Sequence, residues 1–326
     1  MNLSGNVARL SRRSFLAASI AGAFGRFSAG VSAQSDRPKP ETVTDDEKEA
    51  VAIEDYARKV LLGSVRQDSS DHFLVVGDAS MAYQREVLGF CEGLGKEFLS
   101  YYNSRGFNVA YPQYRLSVVV LKDRNSYGAW IGEPAEDAVG GHYDRDTNRL
   151  VVFDFRNDPK GLGEQARIVN SFTLSHEANH LLGFNSGLLS RTTDTPTSII
   201  EGLATIGELY QKVGHSAVGG NNRPRLGALV DATRAGEPWI DVSTLIAKDE
   251  VCEAAETRQL AYAESWLLLS MMIKQKDKLP RLHAYLDRLR KPRENVDRVR
   301  DAEADLGSLD RLNRELKNYA KPYLRG

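Results

Sequence analysis

Apolar residues follow two different spacings along this chain, and the change between them indicates two structural parts. Short apolar runs at residues 72–76, 116–121 and 150–153 are typical of strands. The last run follows a Gly-Gly pair and a polar turn, so we predict a hairpin within residues 139–153. From about residue 165 onward the apolar positions recur every three or four residues, which is the spacing of amphipathic helices.

The helical spacing predicts more helices than the strand runs predict strands. We predict helices at residues 46–62, 80–102, 165–182, 197–212, 254–275, 279–290 and 308–320. With the strand runs, these elements predict an α+β fold. A lobe with a small mixed sheet, residues 46–164, precedes a mainly helical lobe, residues 165–326.

Composition and charge narrow the classes of function. Hydrophobic residues make up 41% and charged residues 27% of the chain, as in ordinary globular proteins. Four of the 43 basic residues and none of the 44 acidic residues lie in the first 33 positions, so the remainder carries a net charge of −5. A mildly acidic body argues against nucleic acid as a main partner.

The first 33 residues have the parts of an export signal. Arg12 and Arg13 precede a weakly apolar stretch that ends in small residues at Ala33. The segment resembles the twin-arginine signal of bacterial exported proteins, which implies cleavage after Ala33 and a periplasmic or extracellular protein. A membrane anchor is the alternative, but Arg26 and three glycines make a poor spanning helix. We expect no stable membrane insertion after signal removal, and a flexible linker at residues 34–45.

Two cysteines, Cys91 and Cys252, are the only ones in the sequence. An oxidising compartment allows them to form one disulfide, and two separate buried thiols are the other possibility.

The segment His176-Glu177-Ala178-Asn179-His180 carries the main candidate chemistry. Histidines four positions apart on a helix lie on one face, where two imidazoles can hold one zinc ion. Glu177 lies next to the first histidine, so it can take a proton from a metal-activated water and pass it to a leaving amine. Two ordinary histidines on one helix are the alternative reading, since the pattern also arises by chance.

A second acidic motif follows at Ile200-Glu201-Gly202-Leu203-Ala204, with Glu201 lying 21 positions after His180. The two motifs together resemble the gluzincins, which are thermolysin- and aminopeptidase-like zinc metallopeptidases, including uncharacterised exported bacterial members. The resemblance covers roughly residues 70–320 and implies a zincin-like fold. It also implies one zinc ion held by His176, His180 and Glu201, with Glu177 as the catalytic base.

The sequence departs from that family at two points. Thr205 stands where thermolysin-like members carry an aspartate that orients a histidine, and Glu208 is a candidate substitute. The aminopeptidase substrate motif G-x-M-x-N is absent, so an aminopeptidase is not supported. The resemblance favours Tyr262 as the catalytic oxyanion stabiliser, with His215 and Tyr210 as alternatives. A role for Tyr262 as a core aromatic also stays open.

These observations predict an exported zinc metallopeptidase. The resemblance to the gluzincins implies that a peptide or protein substrate lies along an edge strand within residues 139–153. His142, in the same segment, is expected to be a strand residue with a satisfied ring rather than a substrate contact. Two other functions stay open: an inactive metal-binding or scaffold protein of the same fold, and a zinc amide hydrolase that acts on cell-wall material. The oligomeric state is not predicted.

Overall fold

The computed structural model describes residues 46–136, 139–158, 161–163, 165–210 and 218–324. The predicted signal at residues 1–33 and the linker at 34–45 lie outside these ranges, as does His215.

A single mixed sheet of five strands lies in the first part of the chain. The strands are β1 (Arg66–Ser69), β2 (Phe73–Gly77), β3 (Leu116–Leu121), β4 (Gly141–Asp144) and β5 (Arg149–Phe153). Their spatial order is β1-β2-β3-β5-β4. The three central strands are parallel, and β1 and β4 pair antiparallel at the two edges. Every residue of β2 and β3 is buried, because helices cover both faces of the sheet, and this explains their continuous apolar sequences.

Helices form the rest of the described fold, and they dominate after residue 165. The twelve α-helices of the described residues are α1 (Asp46–Lys59), α2 (Met81–Asn103), α3 (Arg124–Ile131), α4 (Gln165–Asn185), α5 (Thr197–Gly207), α6 (Arg223–Arg234), α7 (Val242–Ala247), α8 (Glu250–Glu253), α9 (Arg258–Lys274), α10 (Leu279–Leu289), α11 (Arg298–Leu306) and α12 (Leu309–Leu324). The α+β prediction is therefore confirmed.

Most predicted elements are present, with two kinds of difference. The helix predicted at 197–212 ends at Gly207, and Glu208 forms its C-cap. The sequence did not predict the remaining elements, which are β1, α3, α6, α7, α8 and α11. Strand β1 has the polar sequence Arg-Gln-Asp-Ser, because it is an edge strand that is held by backbone pairing with β2 rather than by burial.

The sheet separates two apolar cores, and this arrangement positions α4. Helices α1 and α3 pack on one face, and α2 and α4 on the other. Helix α5 then packs against both α4 and α9. A carbon added at Gly202 would lie 2.7 Å from Leu269 Cδ1 and 3.0 Å from the Ser265 carbonyl oxygen, both on α9. Glycine at this position therefore lets α5 lie directly on α9.

The two cysteines are separate buried thiols. Cys91 belongs to the core around α2, whereas Cys252 lies in a small cluster with Phe172 and Tyr262. The sequence left open one disulfide or two separate buried thiols, and the structure has the separate thiols. No helix among the described residues combines the length and the apolar character that crossing a membrane requires.

Candidate metal centre

Helices α4 and α5 bring the three predicted ligands together in the interior. His176 and His180 lie one turn apart on α4, with their Nε2 atoms separated by 3.2 Å. Glu201 on α5 places Oε2 3.1 Å from His176 Nε2 and 3.5 Å from His180 Nε2. All three residues are at most 3% exposed. Within the part of the chain that the structure describes, no other group of three or more potential ligands converges in this way.

The spacing of these three donor atoms fits a small tetrahedral ion. Zinc binds imidazole nitrogen and carboxylate oxygen at about 2.0–2.1 Å, which places tetrahedral ligand atoms about 3.3–3.4 Å apart. The observed separations of 3.1, 3.2 and 3.5 Å lie around that value. The three residues can therefore hold a metal ion without moving their helices.

Glu208 orients the first histidine from its other side. Its Oε2 lies 3.1 Å from His176 Nδ1. An ionised carboxylate only accepts hydrogen bonds, so Nδ1 donates and Nε2 faces Glu201. Burial alone would lower the pKa of His176, but its hydrogen bonds with Glu201 and Glu208 raise it to about 10. The position therefore strongly favours positive charge, as a metal site does.

The charges around the triad favour a bound cation. Burial opposes ionisation of Glu201, but the charge of His180 and the hydrogen bond with His176 hold its pKa well below the ordinary value. Burial also opposes ionisation of Glu208, but the charge of Arg225 lowers its pKa to about 2. Imidazoles that bind a metal are neutral, so the Arg225 guanidinium then balances one of these two carboxylates. A metal ion supplies the missing positive charge.

Glu177 lies beside the triad and contacts the edge of the sheet. Its Oε2 accepts a hydrogen bond of 2.9 Å from the backbone amide of Tyr143 in β4. Burial raises the pKa of Glu177 above its ordinary value, against the opposing charges of His176 and His180. A carboxylate with a raised pKa is a stronger base near neutral pH than an ordinary glutamate.

Strand β4 is an edge strand, as predicted within residues 139–153, and it packs against α4. Adjacent backbone amides of an antiparallel strand point in opposite directions, so the amide of Tyr143 faces Glu177 and not β5. His142 Nδ1 lies 2.7 Å from the Tyr127 hydroxyl, in the core on the opposite face of the sheet. The expectation of a satisfied ring at His142 is therefore confirmed.

Of the tyrosines considered for oxyanion stabilisation, Tyr262 lies at the site. Its ring is nearly parallel to the ring of His176, with 6.3 Å between the centroids. Burial, followed by the charge of Glu201, raises the pKa of Tyr262 far above its ordinary value. Tyr210 instead packs edge-on against Phe90 of α2.

Two residues of the site were not predicted from the sequence. Arg225 donates from Nε and Nη2 to the two oxygens of Glu208, at 2.8 and 2.9 Å. Asn222 also donates to Glu208 and to the Thr205 carbonyl, and its own oxygen caps α6. Asn222 followed by Pro224 is a helix-start signal that would have located α6. The ion pair itself joins residues 17 positions apart, and no local pattern predicts it.

One protein-family model matches part of the chain. Residues 170–293 are similar to a family described as a protein of unknown function, DUF1570. The matched segment begins inside α4 and contains the triad, Glu177, Glu208, Arg225 and Tyr262. No curated protein matches the chain.

Proposed function

We propose that the protein is a zinc-dependent peptidase that cleaves peptide bonds in peptides or proteins. The observation that carries the proposal is the buried triad with Glu177 directly beside its first member. Two imidazoles and one carboxylate are the ligand set of several catalytic zinc sites, and imidazole ligands favour zinc over magnesium or calcium. When bound, zinc would lower the pKa of water toward neutrality and polarise a peptide carbonyl.

Glu177 is the proposed proton carrier. The Tyr143 amide holds one of its oxygens, which leaves the other oxygen to take a proton from water. The same group then returns the proton to the leaving amine. Its raised pKa supports the first step, because a carboxylate with a raised pKa is a stronger proton acceptor than an ordinary glutamate.

Tyr262 is the proposed oxyanion stabiliser. Its raised pKa keeps the phenol protonated, so it acts as a hydrogen-bond donor at neutral pH. The substrate is proposed to lie in extended form along the outer edge of β4, as a peptide added to a sheet edge. The Tyr143 amide is already engaged, so pairing would use the other outward backbone groups of this strand.

The twin-arginine resemblance supports export, and we propose that the protein acts in the periplasm or outside the cell. Because the twin-arginine route carries folded proteins, it suits a protein that acquires its metal before export. A fusion of residues 1–45 to a reporter tests this, with Arg12→Lys/Arg13→Lys as the matched control. Export that is unaffected by the double substitution would contradict the proposal.

Cleavage of a broad peptide library by the zinc-loaded protein tests the peptidase activity. Glu177→Gln should retain zinc but lose about 100-fold or more of the rate, as expected for removal of a general base. Glu97→Gln, an exposed glutamate on α2, is the control and should cleave normally. Equal rates for Glu177→Gln and the control would refute the proposed mechanism.

One observation favours a second candidate, a metal-binding protein without turnover. The triad and Glu177 are all almost fully buried, and Glu177 is already hydrogen-bonded to the sheet. Tight zinc binding with no cleavage of either peptides or cell-wall fragments would support that role. Cleavage of cell-wall fragments alone would indicate an amide hydrolase instead.

A further inference from the structure

Arg225 contacts residues from two other helices at the metal centre. It lies in the first turn of α6 and is only 2% exposed. Besides the paired bonds to Glu208 on α5, its Nη1 lies 3.3 Å from Gln259 Oε1 on α9. Its guanidinium also lies 5.2 Å from the ring centroid of Tyr262, again on α9. One side chain thus spans three helices.

We infer that Arg225 is a positioning residue for the metal site, because it fixes Glu208 and, through Glu208, the orientation of His176. The inference deepens the proposed function and rests on it only in so far as a metal ion occupies the triad. Its first consequence concerns the affinity for the metal and not the cleavage of any substrate.

The geometry of the ion pair supports positioning. Glu208 is the C-cap of α5, and its carboxylate lies in the interior between α4 and α6. Two parallel bonds from one planar guanidinium fix both the place and the plane of a carboxylate. Oε2 of Glu208 then has a set direction toward His176 Nδ1. A partner with a single donor could neutralise the charge but not set that plane.

A second buried ion pair shows what a purely structural pair looks like in this protein. Arg149 of β5 donates from Nε and Nη2 to Glu49 of α1 at 2.7 and 2.8 Å, and Arg149 is also 2% exposed. That pair joins a helix to the sheet within the other core. Glu208 differs because its carboxylate also contacts His176, a candidate metal ligand. A change in the position of Glu208 therefore changes the orientation of that ligand.

Arg225 also contacts a second neighbour of His176. Its guanidinium lies over the Tyr262 ring, and that ring is nearly parallel to the His176 imidazole, with 6.3 Å between the ring centroids. A cation close to an aromatic face favours this packing. Glu208 is the group that bonds Nδ1 of His176, so the inferred route from Arg225 to the imidazole runs through Glu208.

Zinc affinity, measured by competition with a chromophoric chelator at constant pH, tests the inference. We expect Arg225→Met to bind zinc about 10- to 100-fold more weakly than the wild type, which is the usual effect of losing an outer-shell partner. Arg225→Lys keeps the charge but not the paired donors, so it should stay at least about 10-fold weaker. Arg149→Met is the matched control and should bind zinc normally, even though its stability falls.

A double-mutant cycle distinguishes action through Glu208 from a general effect. If Arg225 acts through Glu208, then Glu208→Gln/Arg225→Met should bind zinc no more weakly than Glu208→Gln alone. Three results would each overturn the inference. These are additive losses of zinc affinity in the double variant, full zinc affinity in Arg225→Lys, and equal zinc affinity for Arg225→Met and Arg149→Met.

A measurement on the metal-free protein separates this inference from the proposed function. The His176 Nδ1 proton, hydrogen-bonded to Glu208, should give a downfield resonance in proton NMR that Glu208→Gln identifies. The resonance should vanish in Arg225→Met and persist in Arg149→Met. Its persistence in both would overturn the inference, whether or not the wild type binds zinc or cleaves peptides.

Discussion

Glu264 is a buried carboxyl whose ionisation should strongly affect the stability of this fold. It lies on α9 and is 0% exposed, with both of its oxygens 3.2 Å from the backbone amide of Ile240. The charged groups that act on it are Lys317, which favours ionisation, and Asp241, which opposes it. Burial dominates and raises its pKa from 4.5 to about 8.

The sign and size of the pH effect follow from that shift. Below pH 4.5 Glu264 is protonated in both the folded and the unfolded chain, and its full contribution to stability is present. Between pH 4.5 and about 8 only the folded chain keeps the proton. The free energy of unfolding therefore falls by about 1.4 kcal/mol for each pH unit, to a total of roughly 5 kcal/mol. Above pH 8 the loss is complete.

Glu264→Gln should remove this pH dependence, because the amide is neutral at every pH and can still accept from Ile240. Urea unfolding at pH 5.5, 7.0 and 8.5 gives the free energy for each protein. We expect the stability of the variant relative to wild type to rise by roughly 3 to 4 kcal/mol from pH 5.5 to 8.5. The exposed substitution Glu97→Gln is the control. A constant difference between Glu264→Gln and wild type across the three pH values would refute the reasoning.

Three further predictions concern packing and the metal. Glu49→Ala leaves Arg149 buried without its carboxylate, so chemical unfolding should show a loss of about 3–5 kcal/mol; a loss below about 1 kcal/mol would mean that water reaches the pair. Gly202→Ala pushes α5 away from Leu269 and should cost about 1–3 kcal/mol. It should also weaken zinc binding through the adjacent Glu201, and unchanged zinc affinity would contradict this. Chelation of zinc should lower the melting temperature, since ligand at 1,000 times its Kd stabilises by about 4 kcal/mol; Glu201→Gln should show a much smaller shift.

Two of the candidate ligands could be predicted from a local signal, because His176 and His180 share one helix face by spacing alone. Glu201, on the next predicted helix, was predicted from the resemblance to the gluzincins. The α+β class followed from equally local apolar patterns, such as the continuous run of β3.

The contact between Glu208 and His176 depends on where helix α5 ends, and the apolar spacing of the sequence did not predict that end. Thr205, which stands where thermolysin-like peptidases carry an aspartate, turns its hydroxyl back to the Gly202 carbonyl at 2.7 Å. Helix α5 stops at Gly207, so Glu208 reaches His176 from the C-cap rather than from the helix face. The predicted helix to residue 212 placed Glu208 on a regular turn, where this contact was only one of several possibilities.

Arg225 was not predicted for a different reason. Its partners Glu208, Gln259 and Tyr262 come from two other helices, and their meeting depends on how α5, α6 and α9 pack. Apolar spacing predicts that helices bury a face, but it does not specify which helices become neighbours.

The central claim is that His176, His180 and Glu201 hold one zinc ion. Metal analysis combined with zinc K-edge X-ray absorption of the purified protein tests it most directly. The account predicts one zinc ion per chain, with two imidazole nitrogens and carboxylate oxygen at about 2.0–2.1 Å. It also predicts that His180→Ala abolishes stoichiometric binding. A chain that binds no zinc, or that binds it equally well without His180, would contradict the account.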